Sequence, residues 1–116
     1  MMDDCLFCRI SSGAIPADIV HQDDDVVAFR DIDPQAPHHV LVVPRRHVEA
    51  VRDATGPEGE QLVGRLMAAA AGIATDLGLD EAGYRLVANT GVDGGQSVFH
   101  LHVHILGGRP MKWPPG

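Results

Sequence analysis

Apolar residues along this 116-residue chain come in short clusters separated by proline, glycine and acidic turns, with one long exception. Leu6, Phe7 and Ile10 fall on one side of a short helix over residues 5–11, which Gly13 and Pro16 end. Ile19-Val20-His21 and Val26-Val27-Ala28-Phe29 read as two short strands around the acidic turn Asp23-Asp24-Asp25. Asp33-Pro34 breaks the pattern, because the residue before a proline is driven out of helical geometry. A third strand covers residues 39–43 and stops at Pro44. The exception is a long helix, opened by a capping box of Thr55 and Glu58 with Pro57 in the first turn. Leu62, Leu66, Met67, Ala70, Ile73, Ala74 and Leu77 recur there at helical spacing, and Gly78 supplies a stop. Gly64 and Gly72 weaken it by up to about 1 kcal/mol each relative to alanine, and are expected to let it lie close to the sheet. Residues 84–88 and 98–106 read as the last two strands, and the tail from Met111 to Gly116 continues neither helix nor sheet. The sum is an α+β domain with a mostly antiparallel sheet and one main helix, a single domain over residues 1–116 with no internal repeat or linker.

Charge and composition narrow the class. Nine Lys and Arg stand against 16 Asp and Glu, a net charge of −7, which argues against a nucleic-acid backbone as partner but leaves room for a small phosphorylated ligand. No apolar run is long enough to span a bilayer, and Met1-Met2-Asp3-Asp4 lacks the features of a signal peptide, so a cytoplasmic protein without membrane contact is expected. Cys5 and Cys8 are the only cysteines, a C-x-x-C pair. In the cytosol that spacing suggests half a zinc site or a redox pair; the redox reading is the weaker, since the pair does not sit in a βαβ unit.

The segment His100-Leu101-His102-Val103-His104 carries the chemistry. In an extended chain the three imidazoles share one face, while Leu101, Val103 and Ile105 enter the other. Upstream, Gly94-Gly95-Gln96-Ser97 forms a glycine-rich loop whose backbone N–H groups are expected to receive an anion. Imidazoles beside an anion cradle point to reaction at phosphorus.

The run from Gln96 to Leu106 resembles the signature of the histidine triad (HIT) superfamily, His-φ-His-φ-His-φ-φ with φ apolar. The ending from Gly107 to Gly116 looks like the C-terminus of its Hint branch, the purine nucleoside phosphoramidases, as do the stretches from Asp31 to Pro37 and from Val42 to His47. The resemblance implies a HIT-like fold: a five-stranded antiparallel sheet with one long and one short N-terminal helix, pairing into a homodimer with a ten-stranded sheet. It implies hydrolysis of the P–N bond of purine nucleoside 5′-phosphoramidates, with aminoacyl-adenylates as related substrates.

By the family pattern His102 attacks phosphorus and forms a nucleotidyl-imidazole that water resolves. His104 donates a hydrogen bond to the phosphoryl oxygens or helps protonate the amine. Ser97 contacts the leaving group, and His39 supports the nucleophile, with His38 facing solvent. Asp31 accepts the ribose hydroxyls. Leu6, Phe7, Ile10, Phe29, Ile32 and Leu41 correspond to the apolar walls of the purine pocket, with core packing as the plain alternative. Asn89 matches a family residue near the phosphate, although Asn89-Thr90-Gly91 also suits an ordinary turn, and Gln96 is expected among the nucleotide-binding residues. In family members that carry the cysteine pair, Cys5, Cys8, His47 and His100 correspond to a Cys₂His₂ zinc set. Four closed ligands make such zinc structural, so no metal is required for catalysis. The alternative is a pair of free thiols. The tail around Trp113 reaches the partner subunit in the family; docking on its own subunit is the alternative.

Three other functions compete. A Fhit-like enzyme would cleave dinucleoside polyphosphates with the same nucleophile. A nucleotide-binding regulator would keep the pocket without needing the reaction. A metalloenzyme would use the three histidines as zinc ligands.

Overall fold

Short apolar segments with strong β-branched content pair with one another, and in the computed structural model, which describes residues 4–116, they build one antiparallel sheet. Its strands are β1 (Ile19–Gln22), β2 (Val26–Arg30), β3 (His38–Pro44), β4 (Tyr84–Val87) and β5 (Val103–Gly107), in the spatial order β1-β2-β3-β5-β4. Helix α1 spans Leu6–Ser11 and helix α2 spans Gly56–Asp76. Of the opening residues read for a signal peptide, Met1, Met2 and Asp3 lie outside the described residues. Among those described, no helix is long and apolar enough to cross a membrane.

Alternation along β2, β3 and β5 divides the apolar residues between two clusters, one on each face of the sheet. Val26, Ala28, Val40, Val42, Val103 and Ile105 pack with Leu66, Ala70, Ile73 and Ala74 of α2. Val27, Phe29, Leu41 and Val43 face the other way and pack with Phe7 of α1. The second face is only partly covered by six residues of helix, and the open remainder becomes the site.

Four expectations need correction. The last strand begins at Val103, not 98, because Leu101 N–H leaves the ladder to donate to Val48 O at 2.6 Å. Side-chain alternation nevertheless survives: Leu101 joins the α2 cluster with Val103 and Ile105. Thr55 does occupy the N-cap of α2, but its side chain makes no capping bond, and Glu58 lies 3.7 Å from Arg46 instead. Gly64 and Gly72 do not mediate close packing, since a Cβ at either would meet nothing within 4 Å; Gly59 does, being pressed against the backbone of Ala54. Met67, counted on the apolar stripe, is 41% exposed.

Candidate functional site

A cleft of about 640 Å³ opens between α1, β2 and the segment leading into β5. Leu6, Phe7, Ile10, Phe29, Ile32 and Leu41 line it, with Asp31, Ser97, His102 and His104 at its polar end. All six residues expected as apolar walls therefore meet there. Phe7, Phe29 and Leu41 are also core, whereas the side chain of Ile32 is fully exposed at the rim.

His102 owes its orientation to its own backbone. Its Nδ1 lies 2.7 Å from the carbonyl oxygen of His100. A carbonyl only accepts, so Nδ1 carries the proton and Nε2 keeps its lone pair. Phe7 packs edge-on against the ring at 5.0 Å and removes water from one side. Burial holds the imidazole below its ordinary pKa, so it is neutral at pH 7, as a nucleophile must be.

A second chain of hydrogen bonds sets His104. The backbone N–H of Gln35 donates to Nδ1 of His39 at 3.0 Å, which places the proton of His39 on Nε2. That N–H faces Nδ1 of His104 at 2.8 Å. His104 accepts there and carries its own proton on Nε2. Burial, reinforced by the neighbouring His102 and His39, pushes His104 down to about 4, so it is a neutral donor at pH 7. His39, expected to support the nucleophile, hydrogen-bonds His104 rather than His102. His38, expected to face solvent, is half-buried with its Nδ1 sealed from water and unpartnered among the described residues.

Asp31 is held by the loop it opens. Its N–H donates to His39 O at 2.9 Å, and its Oδ1 accepts from Asp33 N–H at 2.8 Å, leaving Oδ2 3.6 Å from His39 Nε2. Donor atoms of Asp31, His39 and His104 lie within 4.8 Å of one another, a spacing that could hold a metal. The lone pair of His39 is already engaged by Gln35, however, so these residues form a hydrogen-bond chain and not a free donor set.

Within the glycine loop, the N–H groups of Gly95 and Gln96 donate to Val92 O and Gly91 O, so these two close the loop on itself instead of facing an anion. Gln96 is buried, and its amide bonds Gly91 N–H, Glu49 O and Val98 O. Asn89 donates to Gly94 O at 2.6 Å. Both amides shape the turn that presents Ser97, and neither lines the cleft.

Cys5, Cys8, His47 and His100 converge behind the cleft. Sγ of Cys5 lies 3.4 Å from Nδ1 of His100, and Sγ of Cys8 lies 3.3 Å and 3.5 Å from Nδ1 of His47 and His100. Tetrahedral zinc with ordinary bond lengths would set S and N ligands about 3.6 Å apart, so the set fits that ion. His100 is fully buried, and its Nε2–H donates to Pro44 O at 2.8 Å, which turns the lone pair of Nδ1 toward the thiols. Burial and the adjacent Cys5 push the Cys8 thiol up to about 11. A cation is the group that would offset this and hold it as thiolate. The three triad histidines therefore do not act as one ligand set: His100 turns to the cysteines, while His102 and His104 face the cleft.

Residues 12–111 match the HIT domain family model. The chain is 50% identical over 111 residues to the purine nucleoside phosphoramidase of Escherichia coli K12, covering 96% of this chain and 92% of that protein. An uncharacterised HIT-like protein of Synechococcus elongatus is 50% identical over the whole length of both. Among solved structures, a HIT family hydrolase from Legionella pneumophila superposes with a TM-score of 0.93 at 47% identity, covering 97% of this chain and 99% of that one. A histidine triad protein from Clostridium difficile gives 0.92 at 41% identity, covering 97% and 96%. With its sheet order, its triad and these relatives in agreement, the chain belongs to the HIT domain family.

Proposed function

We propose that this protein is a nucleotide hydrolase that cleaves the P–N bond of purine nucleoside 5′-phosphoramidates, releasing nucleoside monophosphate and amine. The observation that carries the reading is the bond from His102 Nδ1–H to His100 O, which aims an unprotonated Nε2 into a cleft with apolar walls and a carboxylate. The similarity to the Escherichia coli phosphoramidase supports the same substrate class.

The purine lies between Leu6, Phe7, Ile10, Phe29, Ile32 and Leu41, and the free Oδ2 of Asp31 accepts from the ribose. Nε2 of His102 attacks phosphorus, the P–N bond breaks, and the amine leaves with a proton supplied through the Nε2–H of His104. Ser97 contacts the leaving group. Water then attacks the nucleotidyl-imidazole, giving its proton to His104 and returning His102 to its neutral form. Asn89 and Gln96 contribute by holding the loop that carries Ser97.

Cys5, Cys8, His47 and His100 would hold a structural zinc ion, whose chemistry is to tie α1 to the ends of β3 and β5. Reduced thiols as ligands favour the cytoplasm. The chain pairs as a homodimer with a ten-stranded sheet, which requires an edge strand to meet its copy. The tail reaches the partner subunit through Trp113, which is 85% exposed on its own chain.

The test is hydrolysis of a fluorogenic adenosine 5′-phosphoramidate by wild type and His102→Ala, with and without chelator. Turnover that vanishes in the variant and survives chelation supports the reading. Turnover of a diadenosine polyphosphate in preference to the phosphoramidate would move the assignment to the Fhit-like reaction.

A further inference from the structure

We propose that Arg109 is a positioning residue for the proton donor of the cleft, acting through Gln35 and His39 on His104. The inference rests on the reading that His104 protonates the departing amine.

Arg109 follows β5 and turns back over the loop that precedes β3. Its Nε and Nη2 both donate to the carbonyl oxygen of Gln35, at 3.1 Å and 2.9 Å. Gly108 makes this reach possible. It has φ +92, and a Cβ there would come within 2.8 Å of Cβ of Pro37, so only bare backbone lets the segment lie on the loop. The fork of Arg109 thus grips the residue whose own N–H donates to His39.

That grip matters because the tautomers of His39 and His104 are linked. With Gln35 N–H aimed at Nδ1, His39 must carry its proton on Nε2, and His104 must accept on Nδ1 and keep Nε2–H for the cleft. If the Gln35 amide drifts, His39 can instead carry its proton on Nδ1. Its Nε2 then accepts, His104 moves its proton to Nδ1 to donate, and the atom facing the cleft becomes an acceptor. The donor is lost in that fraction of molecules without loss of any side chain in the cleft. Arg109 selects the competent arrangement from outside the cleft, which it does not line.

The experiment compares wild type, Arg109→Gln and Arg109→Lys on two substrates: an adenosine phosphoramidate with an alkylamine leaving group, and an adenosine monophosphate aryl ester whose leaving group departs without a proton. Arg109→Gln should lower kcat about fivefold to tenfold on the amine and less than about twofold on the ester, with KM little changed, against the about hundredfold or greater loss expected on removing a general acid outright. Arg109→Lys should recover part of the loss. In a His104→Ala background Arg109→Gln should have no further effect. Nitrogen NMR of labelled histidine should show His104 protonated on Nε2 in wild type and a mixture in Arg109→Gln. Arg85→Gln, which removes the other guanidinium tie to the tail (Nη2 to Lys112 O, 2.7 Å), should leave the substrate ratio unchanged. Equal losses on both substrates, additive loss with His104→Ala, or an unaltered His104 tautomer would overturn the proposal. Should wild type fail to turn over the phosphoramidate, the functional reading fails, while the NMR comparison still decides the role of Arg109.

Discussion

The imidazole of His102 hangs from the backbone carbonyl of His100, 2.7 Å from Nδ1, and the ring of His100 itself faces Cys5 and Cys8. His102 and the cysteine cluster are therefore joined through two residues of chain. Occupation of the cluster should steady the carbonyl that fixes the tautomer of His102, although no ligand of the cluster enters the cleft.

Metal analysis tests this arrangement directly. Cys8→Ala should lose bound zinc and lower Tm by more than about 10 °C, because binding energy at a structural site is folding energy. His102→Ala should retain zinc and most of its stability while losing turnover. Zinc lost from His102→Ala but retained in Cys8→Ala would reverse the roles assigned to the two groups.

The acid side of the pH profile follows from burial. His102 and His39 are held below the ordinary imidazole value, and His104 is pushed down to about 4. Their neutral forms persist as pH falls, so kcat/KM should stay level through pH 6.5 and fall only below it. Stability carries the matching sign. Between the unfolded value near 6.5 and the folded value near 4 for His104, the unfolded chain binds more protons, so stability is full above about 6.5 and declines as pH drops through that window. A Tm that rose on acidification from pH 6.5 to 4.5 would contradict the burial argument.

The alternation of histidines with Leu101, Val103 and Ile105 was enough to separate cleft from core, because period-two alternation holds even where the ladder has not begun. The five strands and the long helix were legible for the same reason: each carries its period locally. Hydrogen-bond direction was not. That His39 serves His104, and that Gln96 and Asn89 serve their own loop, depends on residues brought together from distant parts of the chain. Arg109 was missed because an exposed arginine in a glycine-rich ending gives no signal of its own; its meeting with Gln35 arises only when β5 lies beside β3.

Substitution of the helical glycines should separate close packing from simple tolerance. Gly64 and Gly72 face open space, so Gly64→Ala and Gly72→Ala should each stabilise by about 0.5–1 kcal/mol through better helix propensity. Gly59→Ala should destabilise by about 1–3 kcal/mol, since its Cβ would enter the backbone of Ala54 and displace the first turn of α2. Urea titration of the three variants checks the signs, and a destabilising Gly72→Ala would mean that α2 lies closer to its neighbours than this packing allows.

Asp23 organises the turn between β1 and β2 on the side of the sheet away from the cleft. Its Oδ1 accepts from the N–H groups of Asp25 and Val26 at 2.8 Å and 2.9 Å, and its Oδ2 lies 3.0 Å from Nε2 of His21 and 3.4 Å from Arg65. The bond to His21, then those from the backbone, hold its carboxyl down to about 2. A depressed carboxylate adds stability above its unfolded value near 4 and loses it as pH falls toward 2. Asp23→Ala should therefore cost about 1–2 kcal/mol at pH 7, discounted for a side chain that is partly exposed to solvent, and the difference from wild type should shrink as pH approaches 2. Its kcat/KM on the phosphoramidate should match wild type, because no atom of this turn touches the cleft. Paired denaturation and kinetic assays read the two quantities separately, and a fall in kcat/KM at unchanged stability would show that this turn communicates with the site across the sheet.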